Sequence, residues 1–346
     1  MRNHNGPRAL VAGLTVAMGA VAAMPAAAQS AADFYRGRTV TLSVGLSAGG
    51  TYGLFGRLLT AHWANHIPGK PAMVTQFMTG AGGLTGANHL GNAAPRDGSF
   101  FALLFKDAVI TQALRPKAAK YDARRFRWVG RMQIYNAVLL VSGKSGVRTL
   151  DDAKKREVLM GATSGKATGS YMLPIMANAI LGTRFKVISG YKGAAGMNLA
   201  MERGETHGWA GGAFMGYKGV KFDEFRNGQV VMLMQSGEAR DALIPDVPLL
   251  RELAKDEATR EVVNFIDSSN VIGFSIATPP GVPDSLVAAL RASFDATMAD
   301  PAFIADVKKR KFELTPMKGA PLQRYVGETL KASPAVIKRA REMLKL

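Results

Sequence analysis

The chain of 346 residues contains no cysteine. That excludes a disulfide framework, a thiolate metal site, a cysteine nucleophile and a lipid-bearing cysteine. Histidine is scarce, with five in all. His62 and His66 are one helical turn apart, but Trp63 stands where an H-E-x-x-H helix carries its glutamate. Helix-surface histidines are the plainer reading, and no metal is expected. Signatures for catalysis and nucleotides are also missing. No G-x-S-x-G elbow occurs. A P-loop needs G-x-x-x-x-G-K-[ST], and Gly161 to Ala167 is one residue short, with alanine at the hydroxyl position. The dinucleotide pattern fails at Thr85, where a third glycine belongs. No cofactor is expected.

Acidic residues are few. Asp and Glu number 26 against 44 Lys and Arg, a net charge of +18. A basic balance favours anionic partners. The basic residues are scattered, and the tightest cluster, Lys308 to Lys311, reads as a solvated helix end.

The first residues have the form of a secretory signal peptide. Arg2 and Arg8 form a basic start, Ala9 to Ala23 is apolar, Pro25 breaks the run, and Ala26-Ala27-Ala28 offers a small-residue cleavage site. The apolar run is about 15 residues, short of the roughly 20 that span a membrane. No twin arginine precedes it. Residues 1–28 are therefore expected to be removed, with the mature protein soluble in the periplasm. An exported protein is not expected to meet nucleic acid.

The rest alternates strand and helix signals, which implies an α/β fold with mostly parallel sheets flanked by helices. Strands are expected at Val40 to Val44, Met73 to Met78, Phe100 to Phe105, Ala137 to Val141, Val158 to Gly161, Phe185 to Ile188, Thr206 to Ala210, Val230 to Met234, Val271 to Ala277 and Phe312 to Thr315. Helices are expected at Tyr52 to Ile67, Leu84 to Ala93, after Thr149, at Tyr171 to Leu181 and Ala194 to Arg203, at Ser285 to Met298, after Asp300, and from Pro321 to Leu346.

Two glycine-rich loops lie at strand-to-helix junctions, Gly45 to Thr51 and Gly161 to Ser170. Open α/β sheets bind ligands at the carboxyl ends of their strands. A helix N-terminus there offers unpaired N–H groups and partial positive charge, which suits an anion. Ser47, Thr51, Ser164, Thr168 and Ser170 add hydroxyls, while Gly49, Gly50, Gly165 and Gly169 let backbone approach closely. Gly80 to Gly83 is a third loop of this kind and contributes Gly82. Each loop taken alone reads equally well as a tight turn. Tyr52, Tyr171 and Trp209 are candidates for an aromatic wall, with burial in a core the equal alternative.

Read in order, these segments resemble the substrate-binding proteins of tripartite tricarboxylate transporters, the Bug family of periplasmic receptors. The resemblance runs through Phe34 to Arg38, Ala48-Gly49-Gly50, Pro71 to Gln76, Thr79 to Gly83 and Ala94 to Gly98. It continues through Gly190 to Gly193, Ile244 to Pro248, Ala277 to Pro283 and Asp300-Pro301. It implies a two-lobed Venus flytrap, with residues 29–136 and 268–346 in one lobe and 137–267 in the other. It further implies a carboxylate held between the lobes, by the loops matching Gly45 to Tyr52 and Thr163 to Tyr171. A monomer that delivers this ligand to a membrane permease is the implied role. The sequence departs from the family at Gly53 and His207, which stand where relatives often carry aspartate, and within Asn270 to Gly273, where an aromatic residue is common.

The reading is thus a periplasmic binding protein for a di- or tricarboxylate or an aromatic acid, not an enzyme, with His207 a further ligand contact. Two alternatives stay open. A hydrolase or lyase on the same scaffold would use His207 as its base, and a sensor would report ligand to a membrane kinase.

Overall fold

Val40, Leu42 and Val44 form the strand that their alternation implies, and all three are fully buried. The computed structural model describes residues 1–3, 30–218 and 222–346. From residue 4 onward the expected signal peptide lies outside the described residues.

The first stretch runs α1 (Ala31–Tyr35), β1 (Thr39–Val44), α2 (Thr51–Trp63), β2 (Ala72–Phe77), α3 (Leu84–Asn92), β3 (Phe100–Leu103), α4 (Ala108–Leu114) and β4 (Arg127–Arg131). The second runs β5 (Ala137–Ser142), α5 (Leu150–Lys155), β6 (Val158–Thr163), α6 (Gly169–Leu181), β7 (Phe185–Tyr191), α7 (Gly193–Glu202), β8 (Gly208–Ala213), α8 (Phe222–Arg226) and β9 (Val230–Ser236). The third runs α9 (Glu257–Ile272), β10 (Ser275–Thr278), α10 (Asp284–Ala299), α11 (Pro301–Lys309), β11 (Met317–Lys318), α12 (Gly319–Thr329) and α13 (Pro334–Met343).

These strands make two sheets. One has the order β11-β4-β10-β3-β1-β2 and the other β7-β6-β8-β5-β9. The α/β architecture is as expected, but both sheets are mixed rather than mostly parallel. β1 pairs in parallel with β2 and β3, as does β6 with β7 and β8. β5, by which the chain enters the second sheet, and β10, by which it returns to the first, lie antiparallel to their neighbours.

Several local expectations are corrected. Val271 and Ile272 close helix α9 instead of opening a strand. Asp256 caps that helix by accepting the Thr259 N–H, Val262, Val263 and Ile266 form its buried face, and Gly273 ends it at φ +56°. Burial of a helical stripe here overrides the strand preference of β-branched residues. Phe312 to Thr315 is not a strand. The Thr315 carbonyl instead accepts two N–H groups of the Arg131 guanidinium, and the short strand begins at Met317. The terminal helix is two helices, because Ser333 caps a new start and Pro334 sits in its first turn, where its missing N–H is harmless.

The cores are built around three tryptophans, each with its indole N–H satisfied. Trp63 donates to Ser293, Trp128 to the Ala123 carbonyl and Trp209 to Asn198. Among the described residues no helix is long and apolar enough to cross a membrane.

Candidate functional site

β1 ends at Val44, and the chain turns through Gly45 to Gly50 into α2. Gly50 is the N-cap, in extended conformation, and no side chain caps the helix. The N–H groups of Thr51, Tyr52 and Gly53 begin the helix with no carbonyl behind them to bond. Arg57 donates to the Ala48 carbonyl at 2.9 Å and pins the loop. Gly53 is needed by that loop, since a Cβ there would lie 2.3 Å from the Ala48 carbonyl oxygen. This is a steric reason for glycine at position 53.

The second loop leads from β6 into α6. Its hydroxyls bond largely to one another. The Thr163 N–H donates to Ser170 Oγ, Thr168 Oγ1 donates to the Gly165 carbonyl at 2.8 Å, and Thr168 and Ser170 share a hydrogen bond at 3.1 Å. The Gly169 N–H, at the first turn of α6, donates to Asp107 Oδ2 at 2.9 Å. Asp107 follows β3 of the other sheet and is the N-cap residue of α4. Its second oxygen takes Lys106 Nζ at 2.6 Å, and Lys106 Nζ also donates to Ser269 Oγ at 3.0 Å. Both side chains of this pair are buried.

Between these loops lies a cavity of about 550 Å³. Ser47, Gly49, Gly50, Thr51, Tyr52, Gly82, Thr168, Gly169 and Ser170 line it. Ser164, Gly165, Tyr171 and His207 do not. Gly165 faces the backbone of Ala81 instead. Tyr171 is buried, with Lys166 Nζ 5.9 Å from its ring centre. His207 precedes β8, and its Nδ1 accepts the Leu159 N–H at 3.0 Å. An acceptor tied to backbone outside the cavity is not placed to act as a base in it.

Sequence reasoning missed Lys106, Asp107, Tyr135, Asn198 and Tyr217, which also line the cavity. A charged pair directly after an apolar strand was the available signal for the first two. Trp209, read as an aromatic candidate, forms the wall together with Tyr217, their rings 5.9 Å apart. Burial raises the phenol pKa of Tyr52, Tyr135 and Tyr217, and the Asp107 charge adds to the rise in the first two. All three stay neutral hydrogen-bonding groups at neutral pH. Tyr135, in the crossover between β4 and β5, donates to the Gly211 carbonyl of β8 at 3.1 Å.

Among the described residues no histidine lines this cavity. His62 and His66 each face a separate aspartate, Asp306 at 3.3 Å and Asp300 at 2.9 Å. Among the described residues no three His, Asp or Glu side chains converge as a metal set.

Comparison with known proteins gives this geometry a context. The family model described as tripartite tricarboxylate transporter family receptor matches residues 60–341. A Cupriavidus necator protein, the UPF0065 protein in the gbd 5' region, is 26% identical over 98% of this chain and 97% of its own length. Among solved structures, periplasmic binding protein BugD has a TM-score of 0.67 at 19% identity, covering 89% of this chain and 98% of that one. MatC from Rhodopseudomonas palustris with bound malate has a TM-score of 0.63 at 21% identity, covering 89% and 99%. An R. palustris protein solved with adipate has a TM-score of 0.68 at 19% identity, covering 89% and 97%. The likeness in fold is to two-lobed periplasmic binding proteins, and the chain belongs to the tripartite tricarboxylate transporter receptor family.

Proposed function

We propose that this protein is an exported, monomeric periplasmic receptor that captures a small carboxylate between its two lobes and presents it to a membrane permease. The observation that carries the reading is the uncapped N-terminus of α2, which opens into a cavity between the two sheets. A carboxylate there gains charge-assisted hydrogen bonds from backbone N–H groups and the favourable end of the helix dipole. The Ser47 and Thr51 side chains stand beside it. The malate and adipate found with relatives of this fold support a carboxylate. The basic start and apolar run before Ala28 support export.

The lobes in this reading are residues 29–136 with 268–346, and 137–267. The division of the strands between the two sheets supports that partition, with α9 carrying the return crossing. Catalysis is disfavoured because His207, the base that the hydrolase or lyase alternative would use, lies outside the cavity lining.

Thermal-shift screening against mono-, di- and aromatic carboxylates tests the reading. A ligand at one hundred times its Kd stabilises by about 2.7 kcal/mol, a clear rise in Tm. A flat response across the whole panel overturns it.

A further inference from the structure

The two helix N-termini that face the cavity are not equivalent. That of α2 is uncapped. That of α6 already holds a carboxylate, because Asp107 Oδ2 accepts the Gly169 N–H at 2.9 Å. The chain has placed one of its own anions in the second anion position.

The arrangement is fixed from several sides. Asp107 Oδ1 takes Lys106 Nζ at 2.6 Å. The ammonium has three donors, and each has a direction to serve. One meets Asp107, one meets Ser269 Oγ at 3.0 Å, and the Tyr135 ring lies on a third side with its centre 5.3 Å away. Lys106 therefore has little left to offer a solute, although it lines the cavity. Thr163, Thr168 and Ser170 are likewise engaged with one another.

The remaining wall around Trp209 and Tyr217 is mostly uncharged, and its one carboxylate, Glu202, is exposed. Asn198 Oδ1 accepts from both of them, at 2.8 Å and 3.1 Å. This turns the amide so that its NH₂ group is the part left to offer.

We propose that Asp107 determines specificity by excluding a second carboxylate. The site then takes a monocarboxylate with an apolar or aromatic body, gripped at α2, with an uncharged acceptor within reach of Asn198. This rests on the carboxylate-receptor reading and narrows it. A dicarboxylate long enough to reach α6 would bring its second charge against that of Asp107, and among the described lining residues the one cation, Lys106, is already paired.

Isothermal titration of the full mature chain with matched pairs tests this: hexanoate against adipate, and benzoate against terephthalate. The expected result is at least tenfold tighter binding of the monoacid in each pair. Asp107→Ala vacates the α6 N-terminus and frees Lys106, and is expected to shift the ratio at least tenfold toward the diacid. Asp107→Asn keeps the size and an acceptor for the Gly169 N–H, and is expected to relieve the discrimination if the alanine variant does not fold. Equal or tighter binding of the diacids by the unmodified protein overturns the proposal, as does an unchanged ratio in a natively folded variant. Failure of both classes to bind the unmodified protein instead overturns the receptor reading beneath it.

Discussion

Trp209 Nε1 donates to Asn198 Oδ1 at 2.8 Å, and the Tyr217 hydroxyl donates to the same oxygen at 3.1 Å. The two donors lie on a buried indole and a buried phenol. One amide thus satisfies two groups that would otherwise be buried without partners, while its nitrogen is left for the cavity. Asn198→Ala removes the shared acceptor and is expected to lower stability by roughly 2–6 kcal/mol, since each of the two unsatisfied buried groups costs about 1–3 kcal/mol. Asn198→Asp keeps the acceptor and replaces the NH₂ with a charged oxygen. It is expected to retain most of the stability and to lose carboxylate binding. Urea melts and titration calorimetry separate the two effects, and unaltered binding by Asn198→Asp would remove Asn198 from the site.

Gly82 has φ +70°, and a Cβ there would lie 2.4 Å from Thr168 Cγ2 across the cleft. Thr168 has little room to retreat, because its hydroxyl donates to the Gly165 carbonyl and bonds Ser170. Gly82→Ala therefore adds backbone strain of about 1–3 kcal/mol and holds the two loops apart. The expected result is affinity lower by tenfold or more, with a native circular dichroism spectrum. Unchanged affinity would mean that this close approach is not part of the ligand-bound form.

Asp267 is buried in α9, accepts hydrogen bonds from Ser236 and Asn270, and lies 3.4 Å from Arg251. Burial raises its pKa, and the Ser236 hydrogen bond and the Arg251 and Lys106 charges only partly oppose that rise. The folded state then holds this proton more tightly than the unfolded state. Its contribution to stability is greatest below the ordinary aspartate range and falls as pH rises through the raised value. Within that window the loss is up to about 1.4 kcal/mol per pH unit. Asp267→Asn removes the titration, so its Tm minus that of the unmodified protein is expected to grow between pH 4 and pH 8. A constant difference would contradict the assignment.

Much of this was legible in the sequence where glycine and proline punctuate alternating or helical apolar patterns. The units from β1 to β3 and from β5 to β9 fall close to where those patterns place them. The capping box at Thr149 and Asp152 and the left-handed Gly182 closing α6 follow the same local chemistry. What failed was short or context-driven. α4 is seven residues, Ala108–Leu114, rich in β-branched side chains, and it is a helix because it is enclosed on nearly every side. β4 is five residues with an arginine at each end, which hides its buried centre. The first loop and Gly82 line the cavity, but the second loop is half withdrawn from it. Ser164, Gly165 and Tyr171 lie off the lining, and Asp107 takes the Gly169 N–H at the start of α6. Sequence spacing carries no trace of that contact, since Asp107 and Gly169 are 62 residues apart and meet only across two sheets.

The central claim is that a solute carboxylate sits on the first turn of α2. Gly50 adopts φ −95° and ψ 177°, a conformation that suits an aspartate N-cap, and a Cβ there meets nothing closer than 3.7 Å. Gly50→Asp should therefore fold without strain and gain a few tenths of a kcal/mol from capping. It would place its own carboxylate where the ligand's belongs, as Asp107 does at α6. The decisive measurement is the Tm of the unmodified protein and of Gly50→Asp, each with and without a carboxylate that stabilises the former. The account predicts an equal or higher Tm for the variant alone and no rise on adding the ligand. A rise matching that of the unmodified protein would show that the carboxylate is held elsewhere.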